Sequence, residues 1–122
     1  MNSIRENVSA ISGSFFTVYP RHDRLISINK RHTGKKNKEF NLRHDWNTLI
    51  SDDETLKFGR YSKELFPHRL TYVRYLQDFE AKLGLNVWHD VDVRNISNAT
   101  ADTPEGFNFT MSDQNGNVFA CR

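Results

Sequence analysis

Five histidines, one cysteine and six glycines bound the chemistry open to this chain. His22, His32, His44, His68 and His89 form no recognised metal-ligand spacing with one another or with Cys121, so no metal is expected. The glycines at 13, 34, 59, 84, 106 and 116 are too scattered for G-x-G-x-x-G or G-x-x-x-x-G-K, which removes the known pyrophosphate cradles. Ser27 and Ser62 have no G-x-S-x-G context. Cys121 ends an apolar run and reads as a small buried thiol.

Charge is the stronger signal. Residues 1–60 hold 11 Lys/Arg and 7 Asp/Glu, whereas residues 61–122 hold 6 and 8. Most of the excess lies in Lys30-Arg31-His32-Thr33-Gly34-Lys35-Lys36-Asn37-Lys38. This stretch reads as a solvated loop or a loop facing an anionic cofactor. With Phe40 and Trp46 beside it, the sharper alternative is a nucleic-acid site using phosphate contacts and base stacking. Four N-x-[ST] sequons, at Asn7, Asn95, Asn98 and Asn108, permit a lumenal or secreted setting. Asn108 falls in an expected strand, and Asn95 and Asn98 are the candidate glycosylation acceptors.

The elements that must position these residues follow from pattern. At 122 residues, 37% hydrophobic and 12% aromatic, the chain can bury the core of one domain at most. It has no run near the ~18 apolar residues of a membrane helix. Residues 1–12 lack an apolar signal core and read as a disordered or non-native end. Phe15-Phe16-Thr17-Val18-Tyr19 is a compact apolar segment closed by Pro20, which forces Tyr19 into an extended or turn geometry. Leu25-Ile26-Ser27-Ile28 predicts a short buried strand, and Asp45–Ile50 a helical turn.

Residues 68–83 predict a helix. Tyr72, Leu76, Phe79 and Leu83 share a face with Val73 beside them, and Gly84 stands at the left-handed C-terminal position. Val87, His89, Val91 and Val93 alternate with polar residues and predict a strand over 86–96. Phe107, Phe109 and Met111, then Asp113-Gln114-Asn115-Gly116, then Val118–Cys121, predict a β-hairpin over 107–121. No second helix is evident to cover the helix face. An internal layer of a larger α/β chain, with helix, strand and hairpin in sequence, would explain that.

Longer blocks are distinctive: Gly13-Ser14-Phe15-Phe16-Thr17, Tyr19-Pro20-Arg21-His22, Leu25-Ile26-Ser27-Ile28-Asn29-Lys30-Arg31, Glu39-Phe40-Asn41-Leu42-Arg43-His44-Asp45-Trp46-Asn47, and Val73-Arg74-Tyr75-Leu76 with Asp78-Phe79. Over residues 13–122 the chain resembles FAD-dependent oxidoreductases similar to the flavin-containing monooxygenases. The resemblance implies an internal fragment of a Rossmann-type FAD/NAD(P)-binding α/β flavoprotein. Residues 13–122 would then be a partial FAD-binding domain lacking the N-terminal Gly-rich dinucleotide motif.

It further implies FAD in the parent protein, NADPH as reductant, and no tight cofactor binding or activity by this piece alone. Gly13, Ser14, Phe15 and Phe16 fall where relatives set a small residue and an aromatic beside the flavin. Asn29 resembles an asparagine at the reactive edge of the flavin, where a preorganised donor would be catalytic. Val93 resembles the position whose backbone reads the adenine edge. The implied setting is the endoplasmic reticulum lumen, in degradation of misfolded glycoproteins. The implied partners are the remainder of the flavoprotein and quality-control proteins of that compartment, with neither nucleic acid nor a membrane span. The alternatives are a non-catalytic binding module, using residues 30–38 for nucleic acid, and an inactive partial gene product.

Overall fold

The computed structural model describes residues 10–122, so most of the expected end at 1–12 lies outside the described residues. Two compact units emerge where composition predicts one: the first ends at Val87, and the second is Trp88–Arg122.

The first unit is built on helix α3, Arg69–Leu83. Its start follows Pro67, and His68 caps it, the ring Nδ1 accepting from Leu70 N–H at 3.2 Å. Its end is Gly84 at φ 58° and ψ 42°, a left-handed conformation that a residue without Cβ adopts at little cost. The buried face of α3 is rotated from the expected stripe. Val73, Tyr75 and Phe79 are buried, Tyr72 and Leu76 are partly covered, and Leu83 remains 40% exposed.

The chain's own loops cover this face. Leu25, Leu56 and Phe58 converge on Tyr75 and Phe79, with Phe16 and Tyr61 packed around them. Tyr75 is fully buried, edge-on to Phe58, Tyr61 and Phe79, with ring centroids 5.1–5.9 Å apart. Each such pair adds about 0.5–1.5 kcal/mol beyond area burial. The Tyr75 hydroxyl also accepts a 2.7 Å hydrogen bond from Leu49 N–H, giving a polar group inside the core its partner.

Short elements surround α3. Helix α1, Phe15–Val18, is a single turn against α3. It stops where expected: Tyr19 is extended at φ −119° and ψ 155°, ahead of a cis Tyr19–Pro20 bond. Arg69 clamps this corner. Its guanidinium donates to the Phe16 carbonyl at 2.8 Å and to the Thr17 carbonyl, and pairs with Asp23 at 2.7 Å. That guanidinium holds the Asp23 carboxyl below its ordinary range.

Leu25–Ile28 is not a strand. Leu25 N–H donates to the Pro67 carbonyl at 2.8 Å and Asn29 N–H to the Leu65 carbonyl at 2.9 Å, so residues 26–28 bulge away from residues 65–67. Leu25 alone enters the core; Ile26 is 82% exposed. A second difference lies further on. The helix in this region is α2, Lys38–His44, and the turn expected over 45–50 follows it as a single turn closed by Thr48 N–H donating to the Asp45 carbonyl at 3.4 Å. Asn37 caps α2 by accepting from Phe40 N–H at 2.8 Å, and Glu39 pairs with Arg43 one turn later. Two 3₁₀ turns, Glu54–Leu56 and Phe58–Arg60, then deliver Leu56 and Phe58 to the core.

The second unit is an antiparallel sheet in the order β1–β2–β3, with β1 Arg94–Asn98, β2 Phe109–Ser112 and β3 Val118–Cys121. The hairpin β2–β3 follows expectation. Its turn is organised by Asp113, whose Oδ1 accepts from Asn115 N–H and Asn117 N–H at 2.8 and 2.9 Å. Hydrogen bonding, led by the Asn117 side chain, holds that carboxyl below its ordinary range.

The strand expected over 86–96 forms only from Arg94 onward. Asp90 takes φ 58°, which breaks an extended run. The Gln114 side chain then serves the backbone there in place of a strand. It donates to the Asp90 carbonyl at 2.5 Å and accepts from Asp92 N–H at 2.7 Å. β1 also carries a bulge between Arg94 and Ser97, with Asn95 at φ 48°. Among the described residues every strand pairing is antiparallel.

Replacing Tyr75 by Phe strands Leu49 N–H and is expected to cost about 1–3 kcal/mol in urea unfolding. Burial pushes the Tyr75 phenol from 10.0 up to about 12. The neutral phenol is therefore favoured by folding, and the stability it contributes is whole below pH 10 and lost as pH rises toward 12. The wild-type urea midpoint should fall through that window and the Tyr75→Phe midpoint should fall less. Equal slopes would contradict the assignment.

Candidate functional site

The basic segment expected as a loop borders a cleft of the first unit with a volume of about 590 Å³. Lys30, Arg31 and Lys35 reach it from the segment itself, and Lys57 and Arg60 from the second 3₁₀ turn and its entry. α2 contributes Asn41 and Leu42, and Asp45 follows directly. Asp53 caps the first 3₁₀ turn through Thr55, and Glu54 pairs with Lys57 at 2.5 Å. The Lys57 ammonium accordingly holds the Glu54 carboxyl below its ordinary range.

Arg31 and Arg60 are anchored differently. Arg31 donates to the Lys63 carbonyl at 3.4 Å and Arg60 to the Glu54 carbonyl at 2.9 Å. A carbonyl fixes a guanidinium without neutralising it. Asp45 brings the one carboxylate of the lining. Its Oδ2 accepts from the Thr48 hydroxyl at 2.5 Å, while its buried Oδ1 has no hydrogen-bond partner.

A neighbouring cleft of about 450 Å³ shares Lys30–Thr33 but is lined by Ile28, Phe40, His44 and Leu65. Phe40 and the His44 ring stack there at 4.0 Å, and His44 Nδ1–H donates to the Phe40 carbonyl at 2.8 Å. Lys30 also lies 4.3 Å over the Trp46 ring, which is 68% exposed.

The residues singled out from sequence fall in three places. Gly13, Ser14, Phe15 and Phe16 form the approach to α1 and its first turn. Gly13 takes φ 79°, and a Cβ there would stand 2.8 Å from Leu76 Cδ1 and 3.4 Å from Val73 Cα, so its small size lets α1 lie close to α3. Phe16 points to the core, edge-on to Tyr72 at 4.8 Å. Phe15 is 61% exposed and stacks on Tyr19 at 5.4 Å.

Asn29 is buried and directs its amide Nδ2 to the Ser62 carbonyl at 2.8 Å and the Glu64 carbonyl at 3.3 Å. Its donor capacity is thereby spent on bracing residues 62–64. Val93, in the second unit, is half exposed and precedes β1 rather than lying in a strand. Asn95 and Asn98 are both exposed on β1. Among the described residues no cluster of three His, Cys, Asp or Glu could hold a metal.

Sequence reasoning missed Lys57, Arg60 and Asp45 as partners of the basic segment. The Asn37 cap and the Glu39/Arg43 spacing were signals for α2, the element that brings Asp45 close. Nothing in the linear pattern tied residues 57–60 to residues 30–35.

Known proteins supply the next observation. Over 113 residues, 89% of its length, the chain is 55% identical to FAD-dependent oxidoreductase domain-containing protein 2 of Mus musculus. It is homologous to a stretch of that oxidoreductase. The Danio rerio protein of the same name is 49% identical over 110 residues, 90% of the chain. The chain spans 16% of the length of each relative. No family model matches, and no solved structure matches. The flavoprotein kinship expected from the sequence blocks rests on these two relatives.

Gly13→Ala tests the α1–α3 contact. A Cβ at positive φ and against Leu76 is expected to cost about 1–3 kcal/mol in urea unfolding, whereas Gly34→Ala, at φ 71° with open space around the added Cβ, should cost less.

Proposed function

We propose that this chain is a segment of an FAD-dependent oxidoreductase of the flavin-monooxygenase type. It works in the endoplasmic reticulum lumen, takes its electrons from NADPH, and serves the degradation of misfolded glycoproteins. The observation that carries the oxidoreductase reading is the 55% identity to a protein named for FAD dependence. The lumenal reading draws support from the sequons at Asn95 and Asn98, whose residues are exposed.

The fit of FAD to these residues is partial. Phe15, exposed and stacked on Tyr19, offers an aromatic face to a planar ring. Gly13 does not leave room for a cofactor on its Cβ side, because Leu76 and Val73 already occupy it. Asn29 offers no free amide donor, so its part is to hold residues 62–64 in position rather than to meet reacting atoms. When bound, FAD supplies hydride acceptance and electron transfer, and the protein supplies binding and orientation. For this chain that means presenting Phe15 on a turn pinned by Arg69.

Two measurements check the reading. The purified chain should emerge colourless from gel filtration yet quench FAD fluorescence saturably on titration, with Phe15→Ala weakening the affinity about three- to tenfold through loss of stacking. Titration without any quenching would count against the flavin contact. Directed into the secretory pathway of cultured cells, the chain should gain glycosidase-sensitive mass that Asn95→Gln and Asn98→Gln remove together. Unmodified mass would count against use of those sequons.

A further inference from the structure

We infer that the cleft lined by Lys30, Arg31, Lys35, Lys57, Arg60 and Asp45 is a binding site for the phosphate groups of a small nucleotide or pyrophosphate ligand. Five cations share one wall system with a single carboxylate. Lys57 already has Glu54 as a counter-charge. Arg31 and Arg60 have backbone carbonyls instead, and among the described residues neither lies within ion-pair distance of a carboxylate. Both forks are therefore held in place. The Arg31 charge has no carboxylate partner among the described residues, and Arg60 shares the field of Asp53 and Glu54 without pairing with either, so donors remain for bidentate phosphate recognition.

Size and shape agree. A volume of about 590 Å³ lies within the range of small-ligand clefts and admits a diphosphate with an attached sugar. Gly34 and Gly59 line the cavity, where added Cβ atoms would meet nothing and Arg31 Cγ at 3.7 Å respectively, so neither wall is closed by packing. An extended nucleic acid is the less favoured occupant. The cations line one cleft, and the exposed Trp46 ring that would stack a base already carries the Lys30 ammonium at 4.3 Å.

The inference rests on the cleft alone and is independent of the flavin reading. Calorimetric titration of the whole chain with inorganic pyrophosphate, ADP, NADPH and FAD tests it, with a short single-stranded RNA as competitor. Pyrophosphate and ADP should bind, and more weakly as salt is raised. Arg60→Glu should weaken both about tenfold or more, the loss of one charge-assisted contact, with circular dichroism unchanged. If Arg60→Glu fails to fold, Lys35→Glu on the exposed loop should give the same direction of change. Tighter binding of FAD or NADPH than of ADP would assign the site to a dinucleotide, and equal binding would assign it to the shared diphosphate. No binding of pyrophosphate by folded chain overturns the proposal. So does binding unchanged in both variants, or RNA that outcompetes pyrophosphate.

Discussion

Almost everything in the first unit depends on one buried ring. Tyr75 is covered on its faces and edges by Phe58, Tyr61, Tyr72 and Phe79, and its hydroxyl reaches out of the cluster to Leu49 N–H. A phenol can do both because it has an apolar body and a polar tip. The body supplies the core; the tip fixes one loop relative to α3. Beside it, Leu56 and Phe58 anchor residues 45–60 through the core, and Asn47–Ser27 and Lys82–Thr55 hydrogen bonds do so at its edge.

Loops covering a helix must satisfy their own backbone groups, since no ladder does it for them. Here side chains take over that task. Asn29 serves the carbonyls of residues 62 and 64, and Asn47 Nδ2 donates to the Ser27 carbonyl at 3.4 Å. Thr48 links Phe58 N–H to Asp45 at 2.8 and 2.5 Å, and Arg69 gathers the carbonyls that end α1. The same economy operates in the second unit, where Gln114 stands in for a missing strand. Polar residues that look like candidate donors or ligands in the sequence are thus largely consumed as structural partners.

That consumption sharpens the functional picture. The Asn29 amide is committed, whereas the Arg31 guanidinium is anchored by the Lys63 carbonyl and has no carboxylate partner among the described residues. Apolar side chains remain on the surface of the same region: Ile26 and Ile50 are more than four-fifths exposed. The basic cleft and this apolar exposure are consequences of one arrangement. Loops that send Leu25, Leu56 and Phe58 inward must turn alternate side chains outward.

Some of this was written plainly in the chain. The bounds of α3, its Gly84 terminus, the hairpin around Asp113 and the break at Tyr19–Pro20 all follow from local rules, because the residues that decide them are neighbours in sequence. The likeness to FAD-dependent oxidoreductase domain-containing protein 2 was equally legible, since identity needs no coordinates. Tertiary structure alone decided the rest. Which side of α3 is buried depended on Leu25, Leu56 and Phe58 arriving from far away. Whether Val87–Val93 became a strand depended on Gln114. Whether a basic loop became a cleft depended on Lys57 and Arg60. Burial and pairing are set by partners distant along the chain, and linear spacing carries no record of that distance being closed.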